Sequence, residues 1–132
     1  LANYEFKTSA SYETEKSKVL ACANYLLNYS ADKSNVNRLT GIQYILKWME
    51  GTPEYTFEIG EKAMQLTKGS SDLLGLYFAA MSKAVLENKG LPLANDEIYK
   101  LSEAMLVAYC SNPENNIKPS KKIKKIIKNN KH

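Results

Sequence analysis

The sequence predicts an all-α protein, built of antiparallel helical hairpins stacked as a short right-handed superhelix or as a bundle of about six helices. Three observations carry that expectation. Apolar residues recur at i, i+3, i+4 and i+7 in one segment after another, the spacing of a helix that buries one face. Helix start and stop signals separate those segments. No stretch alternates polar and apolar residues long enough to compete as a strand. The connections are short, which favours antiparallel neighbours.

The first helix is expected from about Ser11 or Thr14 to Tyr29, with an extended segment over residues 1–10 before it. Its stripe is Val19, Cys22, Ala23, Leu26 and Tyr29 or Ser30. Glu13 and Glu15 near its start complement the helix dipole. Ser34 or Asn35 is placed to cap the second helix, whose core face reads Leu39, Ile42, Ile45, Leu46 and Met49. Gly51 suits a left-handed C-terminal cap.

Thr52-Pro53-Glu54 is a start signal for the third helix, since proline in the first turn forfeits no amide bond. Tyr55, Ile59, Ala63 and Leu66 would line its inner side, and Gly69 would end it. Ser70-Ser71-Asp72 caps the fourth helix. This helix carries two stripes, Leu73, Tyr77, Ala80, Ala84 and Leu74, Phe78, Met81, Val85, and so needs neighbours on two sides. The fifth begins at Asn95-Asp96-Glu97 and turns Ile98, Leu101, Met105 and Ala108 inward. After the loop Asn112-Pro113-Glu114-Asn115-Asn116, a basic helix within residues 117–132 carries Ile123, Ile126 and Ile127 on one side.

A chain of 132 residues with 44% hydrophobic and 24% charged residues is one ordinary globular domain, and a single domain over 1–132 is expected. No apolar run approaches the ~20 residues of a membrane-spanning helix. The net charge of +4 is unevenly placed. Beyond Glu114 there is no acid, while Lys118, Lys121, Lys122, Lys124, Lys125, Lys128 and Lys131 carry +7, so the body before them is −3. The body gives no reason to expect nucleic acid. Arg38 is the sole arginine against 17 lysines, which suits an AT-rich, bacterial source and leaves bidentate arginine recognition nearly unavailable.

The chain begins Leu1-Ala2-Asn3 without an initiator methionine. On that ground an exported, periplasmic or secreted protein is expected, with a cytoplasmic one as the alternative. Cys22 and Cys110 leave the compartment open. A disulfide between them needs an oxidising location and a Cα separation under roughly 7 Å; two buried thiols are the plainer reading.

Gly41 and Gly75 are 34 residues apart, and an aromatic, Tyr44 or Phe78, follows each by three. Phe57 and Gly60, then Leu101 and Ala104, take comparable places on the expected partner helices. With Leu74-Gly75-Leu76-Tyr77-Phe78, Asn95-Asp96-Glu97-Ile98, Ala104-Met105 and Asn112-Pro113-Glu114-Asn115, residues 35–116 resemble the tetratricopeptide repeat family, whose units are helical hairpins of about 34 residues. Asn37 and Ser71 stand where that family has an aromatic four residues before its glycine. The resemblance implies protein or peptide binding in a concave groove.

The chemistry of catalysis is sparse. The one histidine, His132, is the last residue, so neither serine nor cysteine has a histidine partner inside the domain. The two cysteines lack companion ligands for zinc, and the glycines form no phosphate loop. No enzyme, cofactor or metal is therefore expected. A carboxylate-metal enzyme is the remote alternative: Glu54, Glu58 and Glu61 would share a face of the third helix, although a solvated outer face explains them as well.

Two residue sets are candidates for binding. Tyr25, Tyr29, Tyr44 and Trp48 can meet where the first two helices pack and form a recognition surface for another protein or peptide; core packing with polar tips in water is the competing reading. Lys121, Lys122, Lys124, Lys125 and Lys128 can contact an anionic membrane surface or phosphates. Against that, the last helix can simply dock its isoleucines as a cap on the stack.

Overall fold

The computed structural model describes residues 5–31 and 36–130. The expected caps Ser34 and Asn35, and His132, lie outside them. The described residues form seven α-helices and one 3-10 turn, with no strand: α1 Ser9–Thr14, α2 Lys16–Asn28, α3 Val36–Gly51, α4 Glu61–Leu66, α5 Ser71–Glu87, α6 Asn95–Ser111, the 3-10 turn Pro113–Asn115, and α7 Lys121–Asn130.

Helix α5 organises the bundle. Ser70 caps it, its Oγ accepting from the Leu73 amide at 3.1 Å, which removes one orphan donor of the first turn. Leu73, Leu76, Tyr77, Ala79, Ala80, Met81, Ala84 and Val85 are all buried. Such a helix is covered on more than one side, here by α2, α6 and α3. Gly75 permits the α3 crossing, because a Cβ there would stand 2.7 Å from Ile42 Cδ1.

Two serines within this packing have no partner. Ser82 Oγ on α5 and Ser102 Oγ on α6 are fully buried without a hydrogen bond. A stranded hydroxyl costs about 1–3 kcal/mol. Ser82→Ala and Ser102→Ala are each expected to raise the unfolding free energy, by about 1 kcal/mol, in urea melts. A loss at either position would mean that its hydroxyl is paired.

The N-terminal expectation is corrected in two ways. Helix starts at Ser9, inside the segment read as extended, because Thr8 accepts from the Ser11 amide and caps α1. The first helix then bends at Glu15, which closes α1 and opens α2 with φ −91° and ψ 0°. The bend lets Phe6 and Tyr12 stack at 4.7 Å and brings Phe6 to 5.6 Å from Tyr44.

Helix α3 is rotated from its expected phase. Leu39, read as core, is 58% exposed, while Arg38, Gly41, Tyr44, Ile45, Trp48 and Met49 are buried. Ile45 and Met49 are buried as read, and the two large rings, Tyr44 and Trp48, join them where Leu39 was expected. The rotation is possible because Arg38 can enter the interior: it donates to Leu26 O at 3.3 Å, to Tyr29 O at 3.2 Å and to Tyr109 Oη at 3.4 Å. Gly51 is not a left-handed cap, since its φ is not positive. It ends α3 where the Tyr12 ring lies close, and a Cβ would fall within 2.5 Å of Tyr12 Cζ.

The third expected helix is mostly absent. Residues 52–60 are neither helix nor strand, with a bend at 53–54, and only α4 is helical. Tyr55, Thr56, Phe57 and Ile59 are aromatic or β-branched, types that favour extended backbone. Tyr55 and Phe57 pack on Trp48 at 5.7 and 5.8 Å, while Thr56 and Glu58 face solvent and Ile59, read as inward, is 39% exposed. Phe57 and Gly60 are therefore not on a partner helix of α3, which packs instead on α2 and α5.

Helix α6 pairs with α5 as a hairpin, and Glu97 secures its start by accepting from the Ala94 amide at 3.0 Å. Its phase also differs from the reading. Ile98, Ser102, Leu106 and Tyr109 face inward, Met105 is half-buried, and Leu101 and Ala108 are exposed. Tyr109 explains the choice, donating its hydroxyl to Tyr29 O at 2.7 Å at the end of α2. Ser120 caps α7 through the Ile123 amide at 3.2 Å. Ile123 is fully buried, and Ile126 and Ile127 pack against the core as read.

Candidate functional site

The aromatic set divides in two. Tyr44 and Trp48 are fully buried. Their polar tips are engaged: Tyr44 donates to Glu15 Oε1 at 2.8 Å, and Trp48 Nε1 donates to Tyr12 O at 3.0 Å. A partner cannot reach them. Tyr25 on α2 and Tyr29, the residue that caps its end, pack ring to ring at 5.0 Å, and Tyr29 is 60% exposed.

Beside this pair runs a groove of about 380 Å³ between α2 and α3, lined by Ala21, Cys22 and Tyr25 from one helix and Asn37, Thr40 and Gly41 from the other. Most of these side chains are small. The floor is open at Gly41, where an added Cβ would meet only Leu26 Cδ1, at an ordinary 3.9 Å. Packing does not forbid alanine there. Burial raises the pKa of the Cys22 thiol, so it stays protonated near neutral pH and presents a small apolar sulfur.

The three carboxylates read on one helix face do not share one. Glu54 and Glu58 lie on the non-helical segment before α4, and Glu61 opens α4. Glu54 pairs with Lys16 at 2.5 Å and Glu58 accepts from Asn95 Nδ2 at 2.6 Å. The hydrogen bond from Lys16, with a smaller one from Tyr55, holds Glu54 below its usual value. Burial works against the Lys16 ammonium, but hydrogen bonds to Glu13 and Glu54 outweigh it and carry the group above its ordinary value. Among the described residues, no three His, Cys, Asp or Glu side chains gather as metal ligands do.

The lysine set also divides. Docking α7 through its isoleucines against α6 and α4 leaves its lysines toward solvent. Lys122 Nζ sits 5.7 Å from the Tyr99 ring centre, a cation–π arrangement. Lys121 and Lys124 instead line a cavity of about 900 Å³ with Lys68 and Lys118. Lys125 and Lys128 are exposed away from that lining. Lys68, on the turn before α5, and the groove residue Ala21 had no mark in the sequence; Gly41 did, as one of two glycines 34 residues apart.

Buried acids of high pKa give a pH dependence. Burial, then the Glu103 charge, pushes the Tyr77 hydroxyl up to about 12. Burial also raises Tyr109, against the opposing pull of Arg38, and carries the Cys110 thiol up to about 11. Folded values above the ordinary 10 and 9 mean that the folded state favours the protonated forms. Their contribution is complete at neutral pH and is lost as pH climbs through the folded values. Urea unfolding followed by circular dichroism at a series of pH values is expected to show constant stability near neutrality and falling stability between about pH 9 and 12; stability undiminished above that window would contradict it.

No family model, no curated protein and no solved structure matches this chain. The thiols of Cys22 and Cys110 are unpaired with each other.

Proposed function

We propose that the chain is a non-catalytic helical interaction module, which takes an apolar segment of another protein in the groove between α2 and α3. One observation carries the reading. The groove is floored by a glycine that the surrounding packing does not require, and it is flanked by Tyr25 and an exposed Tyr29. Tyrosine offers large contact area at low entropic cost, which suits it to partner recognition. The resemblance of α5 and α6 to a tetratricopeptide hairpin points the same way, by analogy.

Gly41→Ala separates a binding role from a folding role. Alanine is favoured over glycine inside a helix by about 0.5–1 kcal/mol, and the contact it would make is ordinary. The variant is expected to be as stable as the parent or slightly more so by urea unfolding. Marked destabilisation would make Gly41 a folding requirement and remove the argument.

The direct test is a photocrosslinking residue placed at Tyr29 in producing cells, with the same residue at Lys89, beyond the end of α5, as the control. A discrete adduct from position 29 alone supports the groove. Equal adducts from both positions, or none from position 29, overturn it.

A further inference from the structure

The cavity of about 900 Å³ lies between the turn that precedes α5 and the approach to α7 and shares no lining residue with the groove. Lys68, Lys118, Lys121 and Lys124 line it, all exposed, and among the described residues none of the four makes an ion pair. The lining holds one acid, Asp72, so four positive charges face a single negative one and a net +3 remains. Lys16, Lys18 and Lys83 have acid partners elsewhere on the fold, in Glu13 and Glu54, Glu15, and Glu87; what sets the cavity lysines apart is that four of them share one concavity. Four like charges gathered at one concavity, opposed by Asp72 alone among the lining residues, focus a positive potential there.

Backbone geometry assembles this lining from distant parts of the chain. Gly69 (φ 83°) and Asn116 (φ 54°) both adopt left-handed conformations. The turns they make bring Ser70 and Ser120, the caps of α5 and α7, to the same cavity. Each helix start adds partial positive charge to the lysines. Asp72 sits in the first turn of α5, where the dipole accounts for its presence.

We infer that this cavity binds a phosphate group, either as the free dianion or as a monoester. Lysine ammonium groups hold phosphate as point charges, without the fork geometry that arginine supplies. A dianion with several acceptor oxygens matches a surplus of +3 better than one carboxylate would. The structure thus selects Lys121 and Lys124 from the basic helix and joins them to Lys68 and Lys118, while Lys122, Lys125 and Lys128 serve other surroundings.

The full chain should be titrated with inorganic phosphate, and separately with O-phosphoserine, at fixed ionic strength while backbone amide resonances are followed. Saturable shifts confined to Gly69, Ser70, Ser120, Lys121 and their neighbours are expected with at least one of the two, and the better ligand tells free phosphate from monoester. Lys118→Gln with Lys121→Gln should weaken that binding at least about tenfold. Lys125→Gln with Lys128→Gln removes the same charge and should change it less than about twofold. Non-saturating shifts spread along all of α7, no shifts with either ligand, or equal weakening by both double variants would overturn the assignment.

Discussion

Replacing Trp48 by alanine is expected to cost about 3–5 kcal/mol of unfolding free energy, the range for deleting a large buried aromatic. The ring is fully buried, lies 5.7 Å from Tyr55 and 5.8 Å from Phe57, and its Nε1 donates to Tyr12 O at 3.0 Å. One side chain thus ties α3 to α1 and to the non-helical segment at 52–60. Alanine would leave a cavity, strand the Tyr12 carbonyl and release Tyr55 and Phe57. With domain stabilities of only about 5–15 kcal/mol, the variant should have a much lower urea midpoint. A loss under about 1 kcal/mol would mean that the indole is peripheral and that residues 52–60 are held by something else.

Arg38→Leu is expected to cost about 2–3 kcal/mol, from loss of charge-assisted hydrogen bonds and the carbonyls left behind. The guanidinium is 7% exposed and donates to Leu26 O and Tyr29 O, carbonyls at the end of α2 that the helix itself cannot satisfy. Tyr109 binds the same Tyr29 carbonyl and accepts from Arg38. The two side chains join the end of α2 to α3 and α6. Tyr109→Phe should therefore cost less than Arg38→Leu, and the double variant less than the sum, since residues of one network do not act independently. Additive losses in a double-mutant cycle would break the network into separate contacts.

Most of the bundle was legible in the sequence because helix punctuation is local. The Ser70 cap, the two-sided α5 and the isoleucine face of α7 each follow from residues within one or two turns. Helix phase was less legible. Periodicity weighs Leu39 and Leu101 as core on hydrophobicity alone, whereas Arg38 and Tyr109 are drawn inward by carbonyls at the end of another helix. No local pattern records that demand. Residues 52–60 show the limit in another form: Pro53-Glu54 is a sound helix start, yet Tyr55 and Phe57 gain more by alternating onto Trp48.

The candidate sites were legible in part for the same reason. Tyr25 and Tyr29 stood out by type and spacing, and Tyr44 and Trp48 by the same rule, but only burial separates the two pairs. Lys121 and Lys124 belonged to a visible charge run. Lys68 joins them only because the turn at Gly69 and the loop through Asn116 bring separate regions together.

The central claim is that the α2–α3 groove binds a partner while the fold does not depend on it. Ala21→Arg tests this most directly, since Ala21 is exposed on the groove lining and arginine would fill the space without touching the core. With a partner trapped through position 29 in hand, its affinity for this variant and the variant's urea midpoint are measured together. The account predicts affinity lowered at least about tenfold with the midpoint unchanged; undiminished affinity would contradict it.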